Sequence, residues 1–118
     1  MVDEVKDRVI KALKEVEDPE VGIDVWNLGL IYDVSVDDAG VVRIRMTFTA
    51  PGCPVGKHLL YEVYKKVLLI EGVKDLHVDV VFTPRWTPLN ITPEGRERFR
   101  SRHGYDIVEK YLELSKKG

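Results

Sequence analysis

The spacing of hydrophobic residues constrains the fold of this chain more than any other sequence feature. Apolar residues recur with helical spacing over residues 3–16, and then alternate along the chain over 28–37 and again over 42–49. Helical spacing returns over residues 54–70 and alternation over 76–82. These periods are typical of amphipathic helices and half-buried strands. The order helix, strand, strand, helix, strand predicts an α/β fold, a two-layer sandwich with a small mixed sheet.

The connections between these elements predict how the strands pair. Residues 37–40, Asp-Asp-Ala-Gly, form a link short enough for an antiparallel hairpin, in which Gly40 is free to adopt a positive φ. The second helix connects the second strand to the third. If the third strand lies beside the second, we expect a right-handed crossover between them.

The sequence after the third strand predicts two C-terminal helices. Thr92 precedes a proline and an acidic residue, a pattern typical of a helix N-cap, and Gly104 is expected to end that helix. A last helix is expected over residues 107–116. We therefore predict a single domain over residues 1–103 and a helical tail over 104–118, which either packs on the domain or offers its apolar residues to a second subunit.

The single cysteine among the 118 residues excludes several classes of protein. One thiol cannot form an intrachain disulfide, and the chain has no Cys-x-x-Cys pair for a zinc ribbon, so a reducing, cytoplasmic location is expected. No long apolar block is present, so we expect neither a signal peptide nor a membrane span. A net charge of −2 gives no general argument for a nucleic-acid partner.

Charge is nevertheless uneven along the chain. Residues 1–24 carry eight acidic and four basic side chains, whereas residues 85–103 carry five arginines and two glutamates. Most simply, both segments are solvated faces. The arginines leave an RNA-binding module as a minor alternative, although the chain lacks the GXXG clamp of a KH domain. Those arginines are Arg85, Arg96, Arg98, Arg100 and Arg102.

Cys53 is the residue most indicative of chemistry, because it lies where a strand gives way to a helix. Gly52 precedes it and Pro54 suits a first helical turn, so Cys53 is predicted to be the N-cap. A helix N-terminus lowers the pKa of a thiol, and the thiolate is both a nucleophile and a metal ligand. A small buried hydrophobic residue is the alternative interpretation. A thiol-dependent redox protein is a further functional hypothesis, whereas no histidine spacing supports a cysteine protease.

Four sequence blocks together resemble a known family. They are Asp18-Pro19-Glu20, residues 28–32 (Leu-Gly-Leu-Ile-Tyr), residues 46–54 (Met-Thr-Phe-Thr-Ala-Pro-Gly-Cys-Pro) and residues 84–88 (Pro-Arg-Trp-Thr-Pro). In this order they are similar to the small iron-sulfur assembly factors that include SufT, the phenylacetate-pathway protein PaaD and the eukaryotic cytosolic targeting factors. The PaaD-like members carry additional C-terminal cysteines that this chain lacks.

The resemblance implies a non-enzymatic factor that matures client proteins or delivers iron-sulfur clusters to them, with Cys53 as the reactive residue. The acidic loop that contains Asp24 lies near that cysteine in the family, where its carboxylates either assist metal binding or hydrogen-bond the loop. Trp86 is either a core residue or a partner anchor. The predicted rim of the site comprises Asp18, Glu20, Asp24, Thr49, Gly52 and Pro54.

One thiolate also limits what the chain can hold. Protein-bound iron-sulfur clusters generally take four ligands, mostly thiolates. We therefore expect iron or a cluster to be bound transiently and shared with a client, a carrier protein or a second copy of the chain. Neither a membrane nor a nucleic acid is an expected partner.

Overall fold

The computed structural model describes residues 2–50, 52 and 55–117 and confirms the predicted α/β class. Its elements follow the predicted order, with one short 3-10 helix that the sequence did not indicate. They are α1 (Val2–Leu13), β1 (Ile31–Val36), β2 (Val41–Met46), α2 (Gly56–Leu68), β3 (Asp75–Val80), the 3-10 helix (Pro88–Asn90), α3 (Pro93–His103) and α4 (Ile107–Lys117).

The three strands form one mixed sheet in the order β1-β2-β3. β1 pairs antiparallel with β2, as the short link predicted, and β3 lies on the other side of β2 and pairs parallel with it. The apolar faces of α1 and α2 pack against the sheet, so that Leu13, Ile44 and Val63 belong to one buried cluster. Burial of such side chains is the main stabilising contribution in a domain of this size.

β1 begins at Ile31, three residues later than the alternation predicted. Leu28 and Leu30 are buried as expected, but they belong to a turn in which Gly29 has a φ of 75°. A Cβ at Gly29 would clash with the carbonyl oxygen of Asn90, so the backbone passes too close for any other residue. An irregularity in the pairing between Ile31 and Asp33 breaks the alternation further.

α2 also begins later than predicted. Its first residue is Gly56 and its N-cap is Val55, so the prediction that Cys53 is the N-cap is wrong. A Cβ at Gly56 would lie 2.7 Å from the ring of Phe48, which explains why a glycine occupies the position where the helix starts against that ring. Cys53 and Pro54 themselves lie outside the described residues.

The C-terminal helices begin and end within one residue of the predicted boundaries. Thr92 caps α3 by accepting a hydrogen bond from the amide of Gly95, and Gly104 follows the helix with a φ of 82°. Val108 is buried, so α4 packs on the rest of the chain through its first turn, while Leu112 and Leu114 remain exposed. No helix among the described residues is long and apolar enough to cross a membrane.

Candidate functional site

Three connecting segments meet at one edge of the sheet, where β1 begins and where β2 and β3 end. The amide of Thr47 donates to the carbonyl of Leu30 at 2.8 Å, and the amide of Val81 donates to that of Met46 at 2.8 Å. We call this region the loop edge and define it by the described residues of 24–30, 47–55 and 81–86. The four sequence blocks contribute to it or lie next to it, although they are far apart in the chain.

Trp86 and Tyr32 join these segments through side-chain hydrogen bonds. The Trp86 indole Nε1–H donates to the carbonyl of Leu28 at 2.7 Å, and the Tyr32 hydroxyl donates to the carbonyl of Pro84 at 2.7 Å. Both rings are half-buried. Trp86 therefore contributes to the local structure of the loop edge, and its role as a partner anchor stays a prediction.

The loop between β2 and α2 contains the predicted reactive residue. Thr49 is half-buried at a bend, and Gly52 is exposed with a φ of 74°. A Cβ built at Gly52 meets no atom of the described residues within 4 Å, so the space beside it is open. Cys53 and Pro54 fall between Gly52 and Val55 in the chain and lie outside the described residues.

The acidic loop folds into a small hairpin before the turn that leads to β1. Glu17 and Asp24 form an isolated antiparallel bridge, and the buried Asp18 carboxylate accepts hydrogen bonds from the amides of Glu20 (2.8 Å) and Val21 (3.2 Å). Asx turns of this kind satisfy backbone donors locally. The Glu20 side chain, in contrast, is exposed.

Asp24 is the most buried acidic residue of the loop, with 0% of its surface exposed. Its carboxylate accepts hydrogen bonds from the Asn27 amide at 3.0 Å and from the Asn27 side chain at 2.9 Å. Arg98 of α3 donates to it through Nη1 at 2.7 Å. Buried carboxylates are retained when they are paired and hydrogen-bonded in this way. These contacts agree with the loop-stabilising alternative for Asp24.

Sequence reasoning missed Asn27, and it considered Arg98 only as one of the arginines of the RNA-binding alternative. Thr92 donates to the Asn27 side-chain oxygen at 2.6 Å, and its amide donates to the Asn27 carbonyl at 3.0 Å. The N-terminus of α3 is thereby joined to the turn before β1. The spacing Asp24-x-x-Asn27 is a weak signal for the turn, but no local pattern predicts Arg98 as a partner 74 residues away.

The arginines of α3 are largely neutralised within the chain. Arg96 pairs with Asp106 at 2.7 Å, Arg98 with Asp24, and Arg100 with Glu97 at 3.1 Å. Hydrogen bonding from Arg96 lowers the pKa of Asp106, and two backbone amides of α4 lower it further. Three of the four arginines of α3 therefore have carboxylate partners, so this helix offers little free positive charge to a nucleic acid.

Within the part of the chain that the structure describes, no group of three or more His, Cys, Asp or Glu side chains is arranged to hold a metal ion. Asp18 and Asp24 both face protein donors, and of the predicted acidic rim residues Glu20 has the exposed carboxylate. The structure thus joins the turn before β1 to the end of β2 through Thr47 and Leu30. The contacts of Asp18 and Asp24 hold the acidic loop itself and join it to α3, so the predicted rim around Cys53 stays a prediction.

Comparisons with known proteins agree with these motifs. A family model described as iron-sulfur cluster assembly protein matches residues 6–80. The Fe-S protein maturation auxiliary factor YitW of Bacillus subtilis (strain 168) is 42% identical over 87 residues, which are 74% of this chain and 85% of that protein. The Fe-S protein maturation auxiliary factor SufT of Staphylococcus aureus (strain USA300) is 46% identical over 70 residues, 59% of this chain and 80% of its own.

A solved structure supports the same relationship. The crystal structure of a domain of unknown function from Bacillus anthracis superposes with a TM-score of 0.75 at 34% identity, covering 81% of this chain and 92% of that one. The predicted resemblance is confirmed, and iron-sulfur assembly or trafficking is favoured over the redox and RNA-binding alternatives. The chain belongs to the iron-sulfur cluster assembly protein family.

Proposed function

We propose that this chain matures client proteins in the cytoplasm by assembling or delivering iron-sulfur clusters, and that it does so as a non-enzymatic factor with Cys53 as the reactive ligand. The observation that carries the proposal is the family match over residues 6–80, because that range includes the only cysteine of the chain. The relatives named as Fe-S protein maturation auxiliary factors support the same role.

The cluster is cargo rather than a resident cofactor in this proposal. A cluster generally needs four ligands, and one chain supplies one thiolate. The remaining ligands come from the donor protein, from the client or from a second copy of this chain. Shared ligation also favours transfer, because each thiolate that a client contributes displaces one from the donor by ligand exchange.

The loop edge supports this role by fixing the ends of the loop between β2 and α2, residues 47–55, which we call the cysteine loop. On one side, the bond between Thr47 and Leu30 holds the end of β2, and on the other the contact between Gly56 and Phe48 holds the start of α2. The open space beside Gly52 gives a partner protein access to the loop. A site held on rigid elements loses less entropy when a partner binds.

In this proposal Asp18 and Asp24 stabilise the acidic loop and do not bind iron. The carboxylates of Asp18 and Asp24 already accept hydrogen bonds from the protein, so ligating iron would leave buried donors without partners. The Glu20 side chain is exposed and makes no hydrogen bond or ion pair in the described part of the chain, so in this proposal it is the rim carboxylate that stays available to a partner.

The test is cluster transfer under anaerobic conditions. A carrier protein loaded with a [4Fe–4S] cluster serves as donor and an apo-ferredoxin as acceptor, and visible circular dichroism follows the transfer. Wild-type chain is expected to accelerate transfer, and Cys53→Ala to abolish the acceleration. Asp38→Asn is the control, because this exposed residue lies in the turn between β1 and β2, at the opposite end of the sheet from the loop edge; it retains the thiol and is expected to transfer clusters. Equal acceleration by wild type and Cys53→Ala would remove the thiol from the mechanism.

A further inference from the structure

The outer face of α2 exposes large apolar side chains that the core does not use. Leu59, Val63 and Val67 face the core and are buried, whereas Tyr61 is 63% exposed and Leu68 is 46% exposed on the opposite side. Leu69, the C-cap residue, is 80% exposed. Spacings of seven and eight residues place the exposed residues along one stripe of the helix.

Basic side chains accompany these apolar residues. Lys57 and Lys65 lie on the same stripe, and the Lys65 Nζ atom is 6.0 Å from the centroid of the Tyr61 ring. We define the α2 stripe as Lys57, Tyr61, Lys65, Leu68 and Leu69.

A groove of about 540 Å³ continues the stripe between α1 and the C-terminal end of α2. Its lining includes the apolar Leu69 and Ile70 and the basic Arg8, Lys11 and Lys66. The stripe and the groove thus combine apolar contact area with positive charge.

The basic side chains of this surface form no ion pairs within the described part of the chain. None of Arg8, Lys11, Lys57, Lys65 or Lys66 forms an ion pair with another described residue, in contrast to the paired arginines Arg96, Arg98 and Arg100 of α3. Glu15 and Glu71 also line the groove, and Glu62 follows Tyr61 on α2. With these three glutamates counted against the five bases the net charge is +2, in a chain whose net charge is −2. A partner of opposite sign is therefore electrostatically favoured.

The α2 stripe also has a defined relation to the cysteine loop. α2 begins at Gly56, three residues after Cys53 in the sequence. A helix of 13 residues is about 20 Å long, so the stripe leads from the end of the cysteine loop to the groove. A segment bound along the stripe would bring its protein up to that loop.

We propose that the α2 stripe and its groove bind an acidic amphipathic helix of the protein that exchanges the cluster with this chain. The identity of that partner as a client or carrier rests on the proposed function. Apolar residues at helical spacing fit a partner helix that lies along the stripe, and acidic residues beside them match the lysines. Nucleic acid fits less well, because Leu68 and Leu69 offer no contact to phosphates.

The probe is a fluorescent synthetic peptide of about 15 residues, with leucines at helical spacing and glutamates at the other positions. A matched peptide carries lysines in place of the glutamates. Fluorescence anisotropy measures the affinity, and two-dimensional amide NMR spectra of the labelled chain locate the contact. We expect the acidic peptide to bind more tightly, with shifts concentrated at Tyr61, Lys65, Leu68 and Leu69.

Two substitutions on the stripe test the assignment against two matched substitutions on α4. Leu69→Gln is expected to weaken binding about tenfold, as is typical of an anchoring side chain. Lys65→Glu is expected to weaken binding and to reduce its salt dependence. The exposed Leu114→Gln and Lys110→Glu are expected to change the affinity less than about twofold. Thermal melts check that every variant is folded.

Any one of four outcomes would overturn the docking proposal. These outcomes are no binding up to about 1 mM peptide, equal binding of the basic peptide, shifts located elsewhere, or equal losses in the α4 variants. Cys53→Ala is expected to bind the acidic peptide normally while failing in cluster transfer. If Cys53→Ala loses cluster transfer but neither it nor the wild-type chain binds the acidic peptide, the docking surface alone is refuted. If Cys53→Ala binds the peptide and still transfers clusters normally, the proposed role of the thiol alone is refuted.

Discussion

Substituting Asp24 by asparagine tests whether this carboxylate holds the fold or takes part in the chemistry. The asparagine side chain would keep nearly the same shape but would lack the negative charge that faces Arg98 at 2.7 Å. Its amide group would also present donors where Asp24 accepts hydrogen bonds from Asn27. The substitution is therefore expected to destabilise the protein without removing the cysteine or the cysteine loop.

The size of the expected loss of stability follows from the burial of Asp24 and Arg98. Hydrogen bonds to a charged group contribute about 1.5–3 kcal/mol, and breaking a fully buried ion pair costs about 3–5 kcal/mol. Asp24 is 0% exposed but the Arg98 side chain is 40% exposed, so solvent compensates part of the loss. We expect the free energy of unfolding to fall by about 2 kcal/mol and the melting temperature by about 8 °C.

The assay is a double-mutant cycle measured by urea unfolding, with Asp24→Asn, Arg98→Ala and the double variant. We expect a coupling energy of about 1 kcal/mol or more, together with normal cluster transfer per folded molecule in Asp24→Asn. Coupling below about 0.3 kcal/mol would show that the two residues act independently and would refute the reasoning. Loss of transfer in a fully folded Asp24→Asn variant would instead restore Asp24 as a functional residue.

Two further predictions concern stability. Gly56→Ala places a Cβ 2.7 Å from the Phe48 ring and is expected to lower the free energy of unfolding by about 1–3 kcal/mol in urea; an unchanged midpoint would contradict the contact. Hydrogen bonding from Arg96 lowers the pKa of Asp106 below its ordinary value of 3.8, so the stabilisation is present above that pH and is lost as the pH falls through the lowered pKa. Unfolding should therefore be measured for wild type and Asp106→Asn between acidic and neutral pH. We expect wild type to be more stable at neutral pH and the difference between the two proteins to narrow below about pH 3.8. A difference that stays constant with pH would show that ionisation of Asp106 does not contribute to stability.

Much of the fold follows from local sequence patterns. The cap of α3 by Thr92 and its end at Gly104 depend on contacts between residues close in the chain, so the sequence predicted both. The pairing of β1 with β2 follows from the short link between them. The starts of β1 and α2 were predicted two to three residues too early, because Gly29 and Gly56 adapt to distant groups, the carbonyl of Asn90 and the ring of Phe48.

The sequence also identified the family and the cysteine loop, because the four blocks and the single cysteine are visible without coordinates. It could not decide what the acidic residues do. Asp18 and Asp24 have the composition of a metal-binding rim, but a carboxylate binds whichever donors the fold places beside it. In this fold those donors are backbone amides for Asp18 and a guanidinium for Asp24.

The sequence by itself determined the order of the elements, the limit of one thiolate per chain and the family, since periodicity, composition and motifs are properties of the chain alone. Only the tertiary structure decided that α3 is joined to the turn before β1 through Arg98 and Asp24, which are 74 residues apart. Only the tertiary structure leaves the lysines of α2 without carboxylate partners among the described residues, while it neutralises arginines of α3. The physical reason is that ion pairing and burial depend on distances in space, which local spacing does not encode.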